Sequence, residues 1–325
     1  MNTKEQFEKL FSNQMSDNEA RQLLVELYKK GESGEDIAAA ASVMREHSVK
    51  LPISNDMRDK AIDVVGTGGD KSGSFNISST VSLLLASLGC VVAKHGNRSI
   101  TSNSGSADLL EALGVNLSLS VENQIKMLEE VDFAFIFAMN HHPAMKHIMP
   151  IRRSIEHRTI FNLLGPLTNP SGAKKYLLGV FSPDYIVRVA EALMALDVRR
   201  AYVVSSDDGM DEISLATTTQ YVYIENGIIT EGVIDPQEWR FKLAGKGAIL
   251  GGDAIDNAKI THAIFENKAT DPQRDIVILN AGFALFADGR ARDIQEAFEI
   301  VRAGLESGMA KVHLDKIVKT SQKMA

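Results

Sequence analysis

The first sixty residues carry polar and apolar positions in helical runs. Ser16 with Glu19 makes a capping-box pattern ahead of ARQLLVELYKK, and Gly31 is a natural stop. Ser33 followed by Asp36 opens the next run, DIAAAASVMREHS, and Pro52 closes the region. Nothing polar in this stretch converges on a chemistry, so it reads as a small helical bundle.

From residue 61 the texture changes to short apolar runs alternating with longer amphipathic ones. Strands are expected over 62–65, 91–94, 133–138, 176–180, 201–205 and 276–279. Helices are expected between them, for instance over 79–88, 121–129 and 185–196. Such alternation argues an α/β unit with a largely parallel sheet. QYVYIE, residues 220–225, alternates like an edge or hairpin strand, and ADGRARDIQEAFEIVRAGLESG near the end reads as amphipathic helix stopping at a glycine.

Composition narrows the field. The chain has 325 residues, 44% hydrophobic and 24% charged, which is ordinary for a globular protein. A net charge of −7 with no basic stripe disfavours nucleic-acid binding. The single cysteine, Cys90, lies in LGCVVA and reads as core, and no disulfide framework is possible, which fits a reducing cytoplasm. MNTKEQFEKL lacks the apolar core of a signal peptide, and VSLLLASLGCVVA is too short and too interrupted to span a bilayer.

Four segments could carry chemistry. GTGGD follows the strand at 62–65 and precedes a helix beginning near Asn76. Glycines let backbone N–H groups approach phosphate oxygens, and a helix N-terminus adds a favourable dipole. The segment is neither a dinucleotide fingerprint nor a P-loop, and a plain glycine turn is equally compatible with it. The second, AKHGNRSITSNSGSAD, leaves an apolar strand with Lys94, His95, Asn97, Arg98 and five hydroxyl residues, donors suited to a sugar phosphate at a strand's carboxyl end. The third, residues 141–170, places Arg152, Arg153 and Arg158 within seven residues, any of which could clamp a carboxylate. Its histidines lack a zinc spacing. In the fourth, SSDDGMDEISLAT, Asp211-Glu212 follows a strand; such a pair usually marks solvated surface, but can hold magnesium together with substrate phosphates.

Taken in this order, GTGGD, NIS, KHGNR, GSAD with LEALGV, HPAMKH, RTIFNLLGPLTNP, DGMDE and NAGFAL resemble the anthranilate phosphoribosyltransferase family. The resemblance implies an α/β fold with a small all-α domain, of the nucleoside phosphorylase/phosphoribosyltransferase-like kind, whose large domain has a central, largely parallel sheet flanked by helices. The helical domain would span 1–62 and take in helices from about 142–170, and the 5-phosphoribosyl diphosphate-binding domain would span 63–325. The assembly would be a cytoplasmic homodimer joined through the helical domains. The reaction would be attack of the anthranilate amine on the anomeric carbon of 5-phosphoribosyl 1-diphosphate, releasing pyrophosphate, a step of tryptophan biosynthesis.

The resemblance also implies roles. Gly66, Gly69 and Asp70 would line the diphosphate pocket, followed by Ser74, Asn76, Ile77, Ser78 and Ser79. Lys94, His95, Gly96, Asn97, Arg98, Ser99, Ile100, Thr101 and Ser102, with Ser106, would wrap the phosphoribosyl group. Gly66, Asn97 and Arg152 would meet anthranilate, and Ser78, Asp211 and Glu212 would hold Mg2+, directly or through water. Asp70 would face either a ribose hydroxyl or metal-bound water. No catalytic base is required, because an aromatic amine is neutral at pH 7; His95 is the one candidate to take the proton late. The chain departs from the family pattern at Met139, His141, Glu156 and Ser205-Ser206. A pyrimidine nucleoside phosphorylase-like enzyme and a non-catalytic nucleic-acid-binding paralogue of the same fold are the alternatives.

Overall fold

A computed structural model describes residues 2–99 and 103–324. Four helices come first: Thr3–Phe11 (α1), Asp17–Lys30 (α2), Gly34–Glu46 (α3) and Asn55–Lys60 (α4). The expected caps are present. Ser16 and Ser33 accept the N–H groups of Glu19 and Asp36, the acid of each box reaches back to its serine, and Gly31 ends α2 at φ +79°.

The chain then alternates between layers. Ile62–Gly66 (β1), Ile77–Ser87 (α5), Val92–Gly96 (β2), Ser106–Ala112 (α6), Val121–Val131 (α7) and Phe133–Phe137 (β3) build one side of the sheet. Ala138–His141 (α8), Met145–Arg153 (α9) and Phe161–Leu167 (α10) leave it, and α9 and α10 pack on α1, α2 and α3. Lys175–Gly179 (β4), Ile186–Ala195 (α11) and Arg200–Ser206 (β5) return to the sheet, and α11 ties it to α3. Thr219–Glu225 (β6) and Ile228–Ile234 (β7) form a hairpin, and Ala254–Phe265 (α12), Asp271–Asp288 (α13), Ile294–Glu306 (α14) and Met309–Lys323 (α15) complete the chain.

The seven strands run in the order β3-β2-β1-β4-β5-β6-β7, parallel from β3 to β5 and antiparallel through β6 and β7. The order reverses between β1 and β4, so a crevice opens beyond their carboxyl ends. GTGGD, KHGNR and DGMDE all leave the sheet at that end. Among the described residues, no helix is long and apolar enough to cross a membrane.

Two expectations need correction. Residues 276–279 are not a strand; they lie inside α13, which is buried almost all round between α5, α14 and the sheet. A short apolar run in a fully enclosed helix shows no periodicity, whereas Thr270 and Pro272 at the helix start carried the true signal. QYVYIE is the hairpin strand of its two expected forms, paired with β7. The amphipathic segment near the end is two pieces, the close of α13 and then α14, with Gly308 beyond. Other boundaries differ by one or two residues, as helix and strand ends do.

Asp36 anchors the N-terminal helices. Its carboxylate accepts from Thr3 Oγ1 at 2.6 Å, Lys30 Nζ at 2.9 Å and Ser33 Oγ at 2.9 Å. Burial pushes this carboxyl up, but those hydrogen bonds outweigh it and bring it down to about 2. A lowered folded value means the contribution is complete above the unfolded value of about 3.9 and is lost as pH falls toward the folded one. Asp36→Asn is therefore expected to melt at a lower temperature at pH 7, and to lose less additional stability than the native chain between about pH 4 and pH 2. Thermal unfolding followed by circular dichroism across that range checks it.

Candidate active site

The glycines of GTGGD serve an acid before they serve any ligand. Gly66 ends β1 opposite Gly179 of β4. A Cβ on Gly66 would overlap the Asp211 carboxylate, and one on Gly179 would overlap the Asp211 carbonyl. Gly68 and Gly69 turn the chain at φ +70° and +75°, and the Gly68 N–H donates to Asp211 Oδ2 at 2.6 Å. Asp211 is only 9% exposed, so this acidic pair is not surface. Burial first, then the neighbouring Asp70 carboxylate, pushes its carboxyl up to about 7.

Glu212 sits at the start of α5, where its Oε1 accepts the Ser78 N–H at 3.2 Å. Burial, with Asp211 beside it, holds this carboxyl well above the usual range. Lys94 is the basic residue of the group. It is buried, its Nζ donates to Val64 O at 2.7 Å, and burial lowers its pKa while Asp63 and Glu212 oppose that. Asp70, Asp211 and Glu212 thus offer hard oxygen donors with one lysine against them. Among the described residues, no group of three or more His, Cys, Asp or Glu side chains is arranged to hold a metal by itself. That donor set fits magnesium, which is commonly held by one or two carboxylates plus substrate phosphates and water.

The loop after β2 is braced against α6. Asn97 O accepts the Ala107 N–H at 3.2 Å and the Ser106 hydroxyl at 3.2 Å, and a Cβ on Gly96 would overlap that hydroxyl. The Ser99 N–H donates to Asp108. Arg98 is engaged elsewhere: its guanidinium pairs with Asp108 at 2.9 Å and with Glu111 at 2.8 Å. Ile100, Thr101 and Ser102 lie outside the described residues. Asn76 donates to Ser104 O and accepts from Asn257, and Ser74 bonds Ser72. Ile77 and Ser79 are buried, and the Ile77 N–H donates to Phe75 O at 2.7 Å, which leaves the Ser79 N–H at the start of α5 for a ligand.

His95 is buried, with Nδ1 3.1 Å from Gly165 O and Nε2 3.3 Å from His142 Nε2. Burial, reinforced by His142, holds it well below the usual imidazole value, so it is neutral and its Nδ1–H donates to Gly165. Arg152 ends α9. Enclosure lowers its pKa, and no acid pairs with it among the described residues. Arg153 is exposed. Arg158 donates to Gly69 O at 2.7 Å and lies 3.6 Å over the Phe181 ring.

Of the departures from the family pattern, Met139 and Glu156 face solvent. His141 is buried between Val49 O and Gln124, and Ser206 bonds Asp208. The sequence reading gave no role to three supports. His142 stands against His95. Asp208 gathers Ser206, Met210 and Ser214 into the acidic loop. Asn280 brackets Ile213, accepting its N–H at 2.9 Å and donating to its carbonyl at 2.9 Å. The aspartate of DGMDE two residues after a strand was a legible loop signal; the distant Asn280 left none beyond family likeness.

A crevice at a sheet switch point, lined by acids and a glycine loop, suits a phosphorylated ligand that carries a hard cation. The chain matches the glycosyl transferase family a/b domain over residues 58–311. It is 44% identical over 303 residues to the anthranilate phosphoribosyltransferase of Laribacter hongkongensis, covering 93% of this chain and 88% of that one. It is 44% identical over 316 residues to that of Exiguobacterium sibiricum, covering 97% and 92%. The crystal structure of the Thermus thermophilus enzyme superposes with a TM-score of 0.92 at 39% identity, covering 98% of this chain and 94% of that one. The Saccharomyces cerevisiae enzyme in complex with 5-phosphoribosyl 1-diphosphate and magnesium superposes at 0.84 with 25% identity, covering 94% and 86%. The chain belongs to the anthranilate phosphoribosyltransferase family, glycosyltransferases of tryptophan biosynthesis. The phosphorylase-like and non-catalytic alternatives fall away.

Gly66→Ala is expected to displace the Asp211 carboxylate while leaving the strand in place. Losing one charge-assisted bond in the site costs about 1.5–3 kcal/mol, so turnover should fall about 10- to 100-fold with little change in melting temperature. Steady-state kinetics alongside thermal unfolding checks both halves.

Proposed function

We propose that this chain transfers the phosphoribosyl group of 5-phosphoribosyl 1-diphosphate to anthranilate by electrostatic stabilisation and positioning, without a covalent nucleophile. The observation that carries this reading is the surplus of carboxylate at the ends of β1 and β5: the enclosed Asp211 and Glu212 with the half-buried Asp70, against the buried Lys94. Such a surplus suits a diphosphate that arrives with its own divalent cation.

The amine nitrogen attacks the anomeric carbon as the bond to the diphosphate oxygen breaks, and the bonding pair leaves with pyrophosphate. Bound magnesium would offset charge developing on that leaving group. Asp211 and Glu212, with Ser78 at the helix start, are the residues to hold it, and the position of Asp70 beside Asp211 favours a role toward metal-bound water over one toward ribose. Gly69 in the glycine turn and Ser79 in the first turn of α5 offer backbone N–H groups to phosphate oxygens, while the Gly68 and Ser78 N–H groups hold Asp211 and Glu212. The loop from Lys94 holds the phosphoribosyl group. Arg152, enclosed and lacking an acid, would take the anthranilate carboxylate, with Asn97 and Gly66 nearby in the family pattern. His95 has Nδ1 on Gly165 and Nε2 against His142, which supports a positioning role and leaves the late proton to solvent. Alignment of the two substrates can supply about 7–11 kcal/mol in well-oriented cases.

We also propose the two-domain division, 1–62 with helices from about 142–170 against the rest, because α9 and α10 pack on α1 to α3. A homodimer through those helices and a cytoplasmic setting follow the family likeness, and the net charge of −7 argues against nucleic acid as a partner.

The direct test is loss of anthranilate fluorescence in the presence of 5-phosphoribosyl 1-diphosphate and magnesium; no consumption would overturn the reading. Arg152→Ala should raise the anthranilate KM about 10- to 100-fold, the loss of one charge-assisted pair, and leave the KM for the diphosphate substrate nearly unchanged. An unchanged anthranilate KM would move the clamp to another arginine. Asp211→Asn should shift the magnesium concentration for half-maximal turnover upward by about tenfold or more, and normal activity at low magnesium would remove Asp211 from that role.

A further inference from the structure

Strand β1 carries an acid that the chemistry above does not use. Asp63 is fully buried beneath the site, where a parallel strand covered on both faces ordinarily takes an apolar residue. Its Oδ1 accepts the backbone N–H of His95 at 3.2 Å, and its Oδ2 accepts Asn169 Nδ2 at 2.8 Å. The same Asn169 amide donates to Ala93 O at 2.7 Å, and its own oxygen accepts from Ser171 N at 3.0 Å and Ser171 Oγ at 2.7 Å. Asn169 stands between α10 and β4, on the segment that returns from the helices to the sheet. Asp63 and Asn169 therefore fasten that segment to the two residues that flank Lys94.

The chemistry of the position calls for a carboxylate. Two N–H donors converge on residue 63, and only a carboxylate presents an acceptor to each; asparagine would set its own NH2 against one of them. We infer that Asp63 is a positioning residue for the transfer: through Asn169 and the His95 backbone it fixes the tip of β2, and with it the aim of Lys94 and the phosphoribosyl loop. This rests on the reading of that loop as the phosphoribosyl-binding element.

Asp63→Asn should raise the KM for 5-phosphoribosyl 1-diphosphate by about tenfold or more, and the anthranilate KM by a smaller factor through Asn97 on the same loop. Asn169→Ala cuts the same fastening without altering the carboxylate, and should give the same split if Asp63→Asn does not fold. The exchanged pair, Asp63→Asn with Asn169→Asp, restores a donor between the two positions, though not the bond to Ala93 O, and should be more active than Asn169→Asp alone, in which two buried carboxylates face each other. A stabilising role alone would lower the melting temperature of the variants and leave both KM values unchanged, and that result overturns the inference. If the unmodified chain consumes no 5-phosphoribosyl 1-diphosphate, the reading of the loop fails instead, so the two failures are distinguishable.

Discussion

Enclosing Asp211 against bare backbone is the constraint on which the rest of the structure turns. Its carboxylate and carbonyl lie where the Cβ atoms of Gly66 and Gly179 would be, so two strands must each end in glycine and in register. That register exists only because β1 and β4 are neighbours across the reversal in strand order. The loop bearing the acid must also be held rigidly, and Asn280 does so from the middle of α13 by bonding both backbone groups of Ile213. The buried character of α13, unusual for a helix on a sheet, follows from that duty: it packs on β4 and β5 as well as on α5 and α14.

The electrostatic balance at this end of the sheet does not close on its own. Withdrawing a carboxylate from water costs several kcal/mol even after relaxation. Against this stand one short bond from Gly68 to Asp211, one from Ser78 to Glu212, and the dipole of α5. A bond to a charged group contributes about 1.5–3 kcal/mol and a helix terminus at most about 2 kcal/mol. Lys94 is itself buried and directs its Nζ at Val64 O. The two carboxyls are consequently raised rather than lowered, so this cluster costs stability instead of adding to it.

Much of this was legible along the chain, and the misses share a physical cause. Ser16 with Glu19 and Ser33 with Asp36 were readable because a cap is a local hydrogen bond between residues three apart. Strands β1 to β5 were readable because each is an apolar run between polar loops; β7, Ile228–Ile234, was not, because it lies largely exposed at the sheet edge with a threonine, a glutamate and a glycine in its middle. Ile276 to Leu279 misled because α13 is enclosed on all sides and has no polar stripe to reveal its period. Arg98 looked like a ligand donor by its place in KHGNR, yet Asp108 and Glu111, ten and thirteen residues on, occupy it. Gly66 looked like a phosphate contact, and the partner that demands its missing side chain, Asp211, lies 143 residues beyond its neighbour Gly68 in the same loop. Local pattern reveals which groups a loop offers; it does not reveal which distant residue has already claimed them.

The contacts between the segment 142–169 and the strand tips are graded by burial. His142 meets His95 and Asn169 meets Asp63 away from water, and Gly165 meets His95 partly buried. Arg158 meets Gly69 at the rim, where its bond is exposed. Exposed polar contacts contribute little and break readily, while enclosed ones leave unpaired groups when broken. Separation of this segment from the sheet would therefore begin at Gly69 and pivot on the buried bonds around Asp63 and His95. The glycine turn, the proposed diphosphate contact, is thus held at its outer edge by the most easily broken contact in the series. The strand tip that has to aim Lys94 is held by the least easily broken, so access and alignment are governed by different bonds on the same segment.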